Sequence, residues 1–148
     1  MKPFHASIFL ALMLLFVKTT HAAQIQLSGN DPNLVAVEFS GEIKPADFDA
    51  LRRLIEPRLS TNNSFRWFLL NSNGGDVATA MKIGRYIRTL DFDTSVASNA
   101  HCLSSCVFIF AAGNNRSTSK NNLGIHRPFR TSVGSVSRED ATKNYREM

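Results

Sequence analysis

Cysteine is scarce in this chain, with only Cys102 and Cys106 in 148 residues. One intrachain bridge is the most that two thiols allow. A zinc site drawn from His101, Cys102, Cys106 and His126 would have suitable ligand types but no recognisable ligand spacing. There is also no run of lysines or arginines and no basic stretch interleaved with aromatics. The net charge of +5 is therefore scattered, which argues against a nucleic-acid surface. Lys82, Arg85 and Arg88 make one stripe on an expected helix, and such a stripe is ordinarily a solvated face. No internal repeat or low-complexity segment occurs. The one long apolar run, Ile8 to Val17, is too short to span a bilayer, which needs about 20 residues.

That run follows Lys2 and precedes the small residues Thr20-His21-Ala22, the pattern of a secretory signal. Residues 1–22 are therefore expected to be removed, with cleavage after Ala22 or Ala23; the rival is an uncleaved anchor. A periplasmic or secreted product with no stable membrane anchor is the expectation. The remaining residues, 23–148, suffice for one domain with a single core.

The rest of the chain is arranged around Ser98–Gly113. Small and polar residues, including His101 and the pair Ser104-Ser105, lead into an apolar run from Val107 to Ala112, and Gly113 is placed to stop a helix. A serine there could cap the helix. It could equally be a nucleophile beside unpaired amides able to hold an oxyanion. In an oxidising compartment Cys102 and Cys106 could join if Cys102 lies in the turn before the helix; buried free thiols are the alternative.

Around it the chain alternates. Leu34–Phe39 reads as a buried strand ended by Gly41. A helix starting at Pro45 or Asp47 carries Phe48, Leu51, Leu54 and Ile55 at helical spacing, and Pro57 closes it. After a polar turn from Ser60 to Ser64, Phe65–Asn71 reads as a second strand running into Asn71-Ser72-Asn73-Gly74-Gly75. Asp76 can cap a helix bearing Val77, Met81, Ile83, Ile87 and Leu90. A short strand over Thr94–Ala97 precedes the central stretch, and Leu123–His126 is a further one before Pro128. Ser132–Ser135 is expected as loop, and Ser137 with Asp140 as the start of a last helix reaching Met148. Trp67 and the phenylalanines are expected in the core, and Arg116 as a carboxylate partner or a helix-end cap. This alternation predicts an α/β domain of βαβ units around a mostly parallel sheet, with Asn71–Asp76 and His101–Ser105 neighbours at one sheet edge.

In that order, Asn71-Ser72-Asn73-Gly74-Gly75, the Ser104 stretch ending Ala111-Ala112-Gly113, Arg116, and Ile125-His126-Arg127-Pro128 make the chain resemble the ClpP/crotonase superfamily. More narrowly, it is similar to the exported ClpP-like proteins of Gram-negative bacteria, from about Val35 to Pro128. The resemblance implies Ser104 as nucleophile, His126 as general base, and the backbone N–H groups of Gly75 and Ser105 as oxyanion hole. It differs from the family in Asn73, where proline is usual, in His101-Cys102, where the chain is bulkier, and in Ser105, where methionine is common. The third triad member has no counterpart, since the family's aspartate arrives on a segment beyond Met148; Asp76, Asp140 and Asn121 are unmatched substitutes. The domain is accordingly expected to be truncated at its C-terminus.

The function expected on this basis is that of a periplasmic serine hydrolase, a ClpP-like peptidase acting on peptide or protein substrates without a cofactor. A homo-oligomer is compatible with the resemblance. The alternative is a catalytically inactive ClpP-like scaffold binding peptides or envelope proteins. A third reading, a crotonase-type acyl-CoA enzyme, is disfavoured by export, because that cofactor is cytoplasmic. Lys82 or Lys120 as base of a Ser-Lys dyad is a minor option, since an exposed lysine stays protonated.

Overall fold

Burial along Leu34–Ser40, with Val35, Val37 and Phe39 turned inward, makes this segment an inner strand of a five-stranded sheet. The computed structural model describes residues 23–59 and 65–126. The leader expected over residues 1–22, the turn at Ser60–Ser64 and everything expected from Pro128 onward lie outside the described residues. The elements in order are β1 (Gln24–Ser28), β2 (Leu34–Ser40), α1 (Asp47–Ile55), β3 (Phe65–Asn71), α2 (Val77–Thr89), β4 (Asp93–Val96), β5 (Cys102–Leu103), α3 (Cys106–Ala111), β6 (Arg116–Thr118) and β7 (Leu123–Gly124). A 3-10 turn, Glu56–Arg58, extends α1 through Pro57.

The sheet order is β1-β2-β3-β4-β6. Only β1 is antiparallel, to β2; the pairs β2–β3, β3–β4 and β4–β6 are parallel. This is the α/β class expected, with βαβ units around a mostly parallel sheet. A separate two-stranded parallel pair, β5–β7, stands beyond it. β1, β5 and β6 are not among the expected strands. β1 is a five-residue edge, and β6 is exposed at all three positions, so no apolar alternation marks it.

The helices pack one face of the sheet. Leu51 and Ile55 of α1, Ile83 and Ile87 of α2, and Ile109 of α3 meet Val37, Phe39, Phe68 and Leu70 in one core. Each of these buried apolar side chains contributes about 1.5–3 kcal/mol relative to exposure. Asp76 caps α2, its carboxylate accepting the Thr79 N–H at 2.8 Å. Lys82, Arg85 and Arg88 are exposed on that helix. Trp67 departs from expectation. It alternates with buried Phe68 and so points to the other face, where it is 36% exposed and Phe65 62%.

At the end of α3 the chain presses on β4. Thr94 is buried, and its hydroxyl donates to the Phe110 carbonyl at 2.7 Å. Arg116 caps the same end, donating to the Gly113 carbonyl at 2.7 Å. A Cβ on Gly113 would collide with the Thr94 side chain and lie 2.8 Å from its backbone nitrogen. Gly113→Ala is therefore expected to lower stability by about 1–3 kcal/mol. Urea unfolding measures this, and a wild-type midpoint would mean that α3 is not held against β4 in this way.

Candidate functional site

Parallel strands end together, so the turns that follow β2 and β3 emerge side by side. Ser40 and Asn71 close the register between them. Past that point backbone pairing continues in isolated bridges. The Ile43 N–H donates to the Gly74 carbonyl at 2.9 Å, and the Asp76 N–H to the Ile43 carbonyl at 2.8 Å. On the other side Ser72 pairs with β5, its N–H donating to the His101 carbonyl and its carbonyl accepting the Leu103 N–H. The Asn71–Asp76 and His101–Ser105 segments are thus neighbours.

Ser72 is a residue the sequence reading passed over. It is 1% exposed. Its hydroxyl donates to the Gly41 carbonyl and accepts the Gly74 N–H at 3.0 Å. The only local signal was a serine two residues before a glycine, a common turn arrangement.

Gly74 and Gly75 have φ of 94° and 145°, a conformation that side chains make costly. Gly74 also sits directly on the serine turn. A Cβ there would be 2.8 Å from the Leu103 carbonyl and from Ser104 Cβ, and 3.0 Å from the Ser105 nitrogen. Across this contact the Ser105 hydroxyl donates to the Gly75 carbonyl at 3.1 Å. Among the described residues, no hydrogen bond uses the N–H of Gly75 or of Ser105 as donor. The corner therefore presents two unpaired amides on adjacent segments. Gly75 is exposed while Ser105 is buried.

Ser105 takes the position before α3, but its hydroxyl makes no cap hydrogen bond; it ties α3 to the Gly-Gly turn instead. Ser104 has φ 55°, the left-handed region a non-glycine residue occupies at a cost of about 1–2 kcal/mol. Cys102 and Cys106 are joined in a disulfide with Cα atoms 5.3 Å apart, so the bridge brackets this strained turn. With both sulfurs bonded to each other, neither is a thiolate ligand for zinc. Among the described residues no group of three or more His, Cys, Asp or Glu could hold a metal ion.

The serine-hydrolase expectation does not survive. Among the described residues no hydrogen bond or ion pair joins Ser104 to His126, and His126 is exposed. The reason is register. Leu103 pairs with Gly124, the Ser104 N–H donates to the Gly124 carbonyl at 2.7 Å, and the chain then leaves the pair, with Ile125 80% exposed. Asp76, one substitute for the missing acid, is engaged in capping α2. Assignment as a serine peptidase-like hydrolase is therefore withdrawn. The alternative, a catalytically inactive ClpP-like scaffold binding peptides or envelope proteins, is withdrawn with it. β7 itself is shorter than expected, ending at Gly124 rather than His126.

The disulfide closes a five-residue ring around the serine turn. Constraining so short a loop is expected to add about 2 kcal/mol of stability. Urea midpoints with and without dithiothreitol measure this. Equal midpoints, with two titratable thiols in the unreduced protein, would show that the bridge does not form.

No helix among the described residues is long and apolar enough to cross a membrane. No family model matches the chain, and no curated protein matches it. Among solved structures it is similar to a Streptomyces coelicolor A3(2) protein provisionally assigned as an enoyl-CoA hydratase, at 16% identity and a TM-score of 0.39. The likeness covers 80% of this chain and 50% of that one, so the chain spans half the length of that protein.

Proposed function

We propose that the Gly75–Ser105 corner binds an acyl carbonyl in the manner of the crotonase side of the resemblance. Two backbone N–H groups hold the oxygen of an ester or thioester while negative charge develops on it. The single observation behind this reading is the pair of unpaired amides on segments locked together by the Gly74 contact and the Ser105–Gly75 hydrogen bond. Fixed backbone donors suit this task because they need no reorganisation as the charge appears, and one such donor is worth about 2.7–4 kcal/mol in a barrier. The reaction class is one that passes through an enolate or oxyanion of a bound acyl group. Ser104 acts here by holding the turn rather than by attacking the carbonyl.

A periplasmic or secreted location accompanies this proposal. There the acyl carrier is an ester or small thioester rather than coenzyme A. The test uses butyryl pantetheine and its oxygen-ester analogue, each labelled with 13C at the carbonyl. Binding is expected to lower the carbonyl stretching frequency in the wild type and equally in Ser104→Ala, whose backbone is unchanged. Gly74→Ala, with a methyl 2.8 Å from Leu103 oxygen, is expected to weaken binding tenfold or more while circular dichroism reports a folded chain. No frequency shift with either ligand in the wild type, or its loss in Ser104→Ala, overturns the reading.

A further inference from the structure

Cations that look dispersed along the sequence are gathered by the fold on one side. Arg53 stands two residues from both Leu51 and Ile55, which are wholly buried. At about 3.6 residues per turn it lies on the side of α1 away from the core. Arg85 stands in the same relation to buried Ile83 and Ile87 of α2, and Lys82, three residues before it, shares its face. Arg52, Arg58 and Arg88 complete the layer, and all six side chains are exposed.

The two helices lie side by side. Phe48 of α1 and Tyr86 of α2 meet edge to face with ring centroids 5.7 Å apart. The Arg52 guanidinium lies 6.0 Å from the Phe48 ring centroid. Carboxylates on this layer are fewer: Glu56 pairs with Arg52 at 2.6 Å, Asp49 is exposed, and Asp47 is buried. Over α1, its 3-10 turn and α2, six cations stand against these three acids, a net +3. The rest of the described residues hold four cations, Lys44, Arg66, Arg116 and Lys120, against six acids, a net −2. The charge is segregated. A stripe of three on one helix is ordinarily a solvated face, but here a second helix doubles it.

We propose that the α1–α2 layer docks on the anionic headgroup surface of a phospholipid bilayer. Five of the six cations are arginines, whose guanidinium forks match phosphate oxygens. Between and beneath them Phe48, Leu54, Met81 and Tyr86 are half-buried. Basic side chains around such an apolar floor suit the boundary between headgroups and acyl chains. Lipid phosphates move laterally to meet cations wherever these stand, whereas a nucleic-acid duplex holds its phosphates at fixed spacing. The exposed rings among the described residues, Phe65 and Trp67, belong to the opposite face of the sheet, so this layer offers none for stacking a base. A second copy is a poor occupant, because two such layers brought face to face repel.

The test sediments the full 148-residue chain with vesicles of phosphatidylcholine alone or of three parts phosphatidylcholine to one part phosphatidylglycerol. The readout is the additional binding conferred by phosphatidylglycerol. It is expected to be present at about 0.05 M sodium chloride and lost at about 0.5 M, where charges are screened over a far shorter distance. Arg53→Gln with Lys82→Gln removes two charges and should weaken it about tenfold or more, each cation near the surface being worth about fivefold. Lys120→Glu lowers the net charge by the same amount outside this layer, beyond β6, and should bind as wild type does. All three positions are exposed, so circular dichroism is expected to report folded chains. No additional binding to the anionic vesicles, or equal weakening in Lys120→Glu, overturns the proposal. So does a mixed-sequence DNA duplex that displaces the chain from the vesicles at equal phosphate concentration, which would assign the layer to nucleic acid. None of these readouts involves acyl binding, so they stand or fall separately from the proposed function.

Discussion

A single buried serine holds this molecule's working edge together. Ser72 lies where β3 has ended, and its backbone pairs with His101 and Leu103 while its hydroxyl joins the Gly41 carbonyl to the Gly74 N–H. Three chain segments, distant in sequence, are thereby held around one residue. A hydroxyl suits the position because it donates and accepts at once. An apolar replacement would take the Ser72 partner from the Gly41 carbonyl and from the buried Gly74 N–H, the buried amide alone costing about 1–3 kcal/mol. Everything at the corner follows: Gly74 is fixed against Leu103 and Ser104, and Gly75 is brought within reach of Ser105.

The corner shows how a scaffold can favour backbone chemistry over side-chain chemistry. Ser104 sits left-handed between a disulfide, a glycine contact and the β5–β7 pair. Those constraints orient the amide of Ser105 as firmly as they orient any hydroxyl. A nucleophile also needs a base aimed at it, and no hydrogen bond among the described residues aims the exposed His126 at Ser104. Two fixed amides need no such partner, so a carbonyl-binding site does not depend on a histidine base.

Much of the architecture was readable without coordinates, because local periodicity and burial coincide in it. β3 runs from Phe65 to Asn71 as its composition implies. Asp47 opens α1, Asp76 caps α2, and the βαβ alternation leads to a parallel sheet with the two turn segments at one edge. Elements without an apolar pattern escaped: β6 is exposed throughout, and β1 is a short edge strand. Trp67 was misplaced because an aromatic in a strand belongs to whichever face the register turns inward. The site divides in the same way. Glycines where the backbone must take positive φ, and a serine beside them, are visible as residue types. Whether Ser104 meets His126 depends on which residue of β7 pairs with Leu103, and whether Ser72 is a loop hydroxyl or a buried clasp depends on what surrounds it. Sequence by itself determined the elements and their alternation, since these rest on local spacing. Only the tertiary structure decided the pairing of serine and histidine, because a strand's register is a long-range relation that no local pattern encodes.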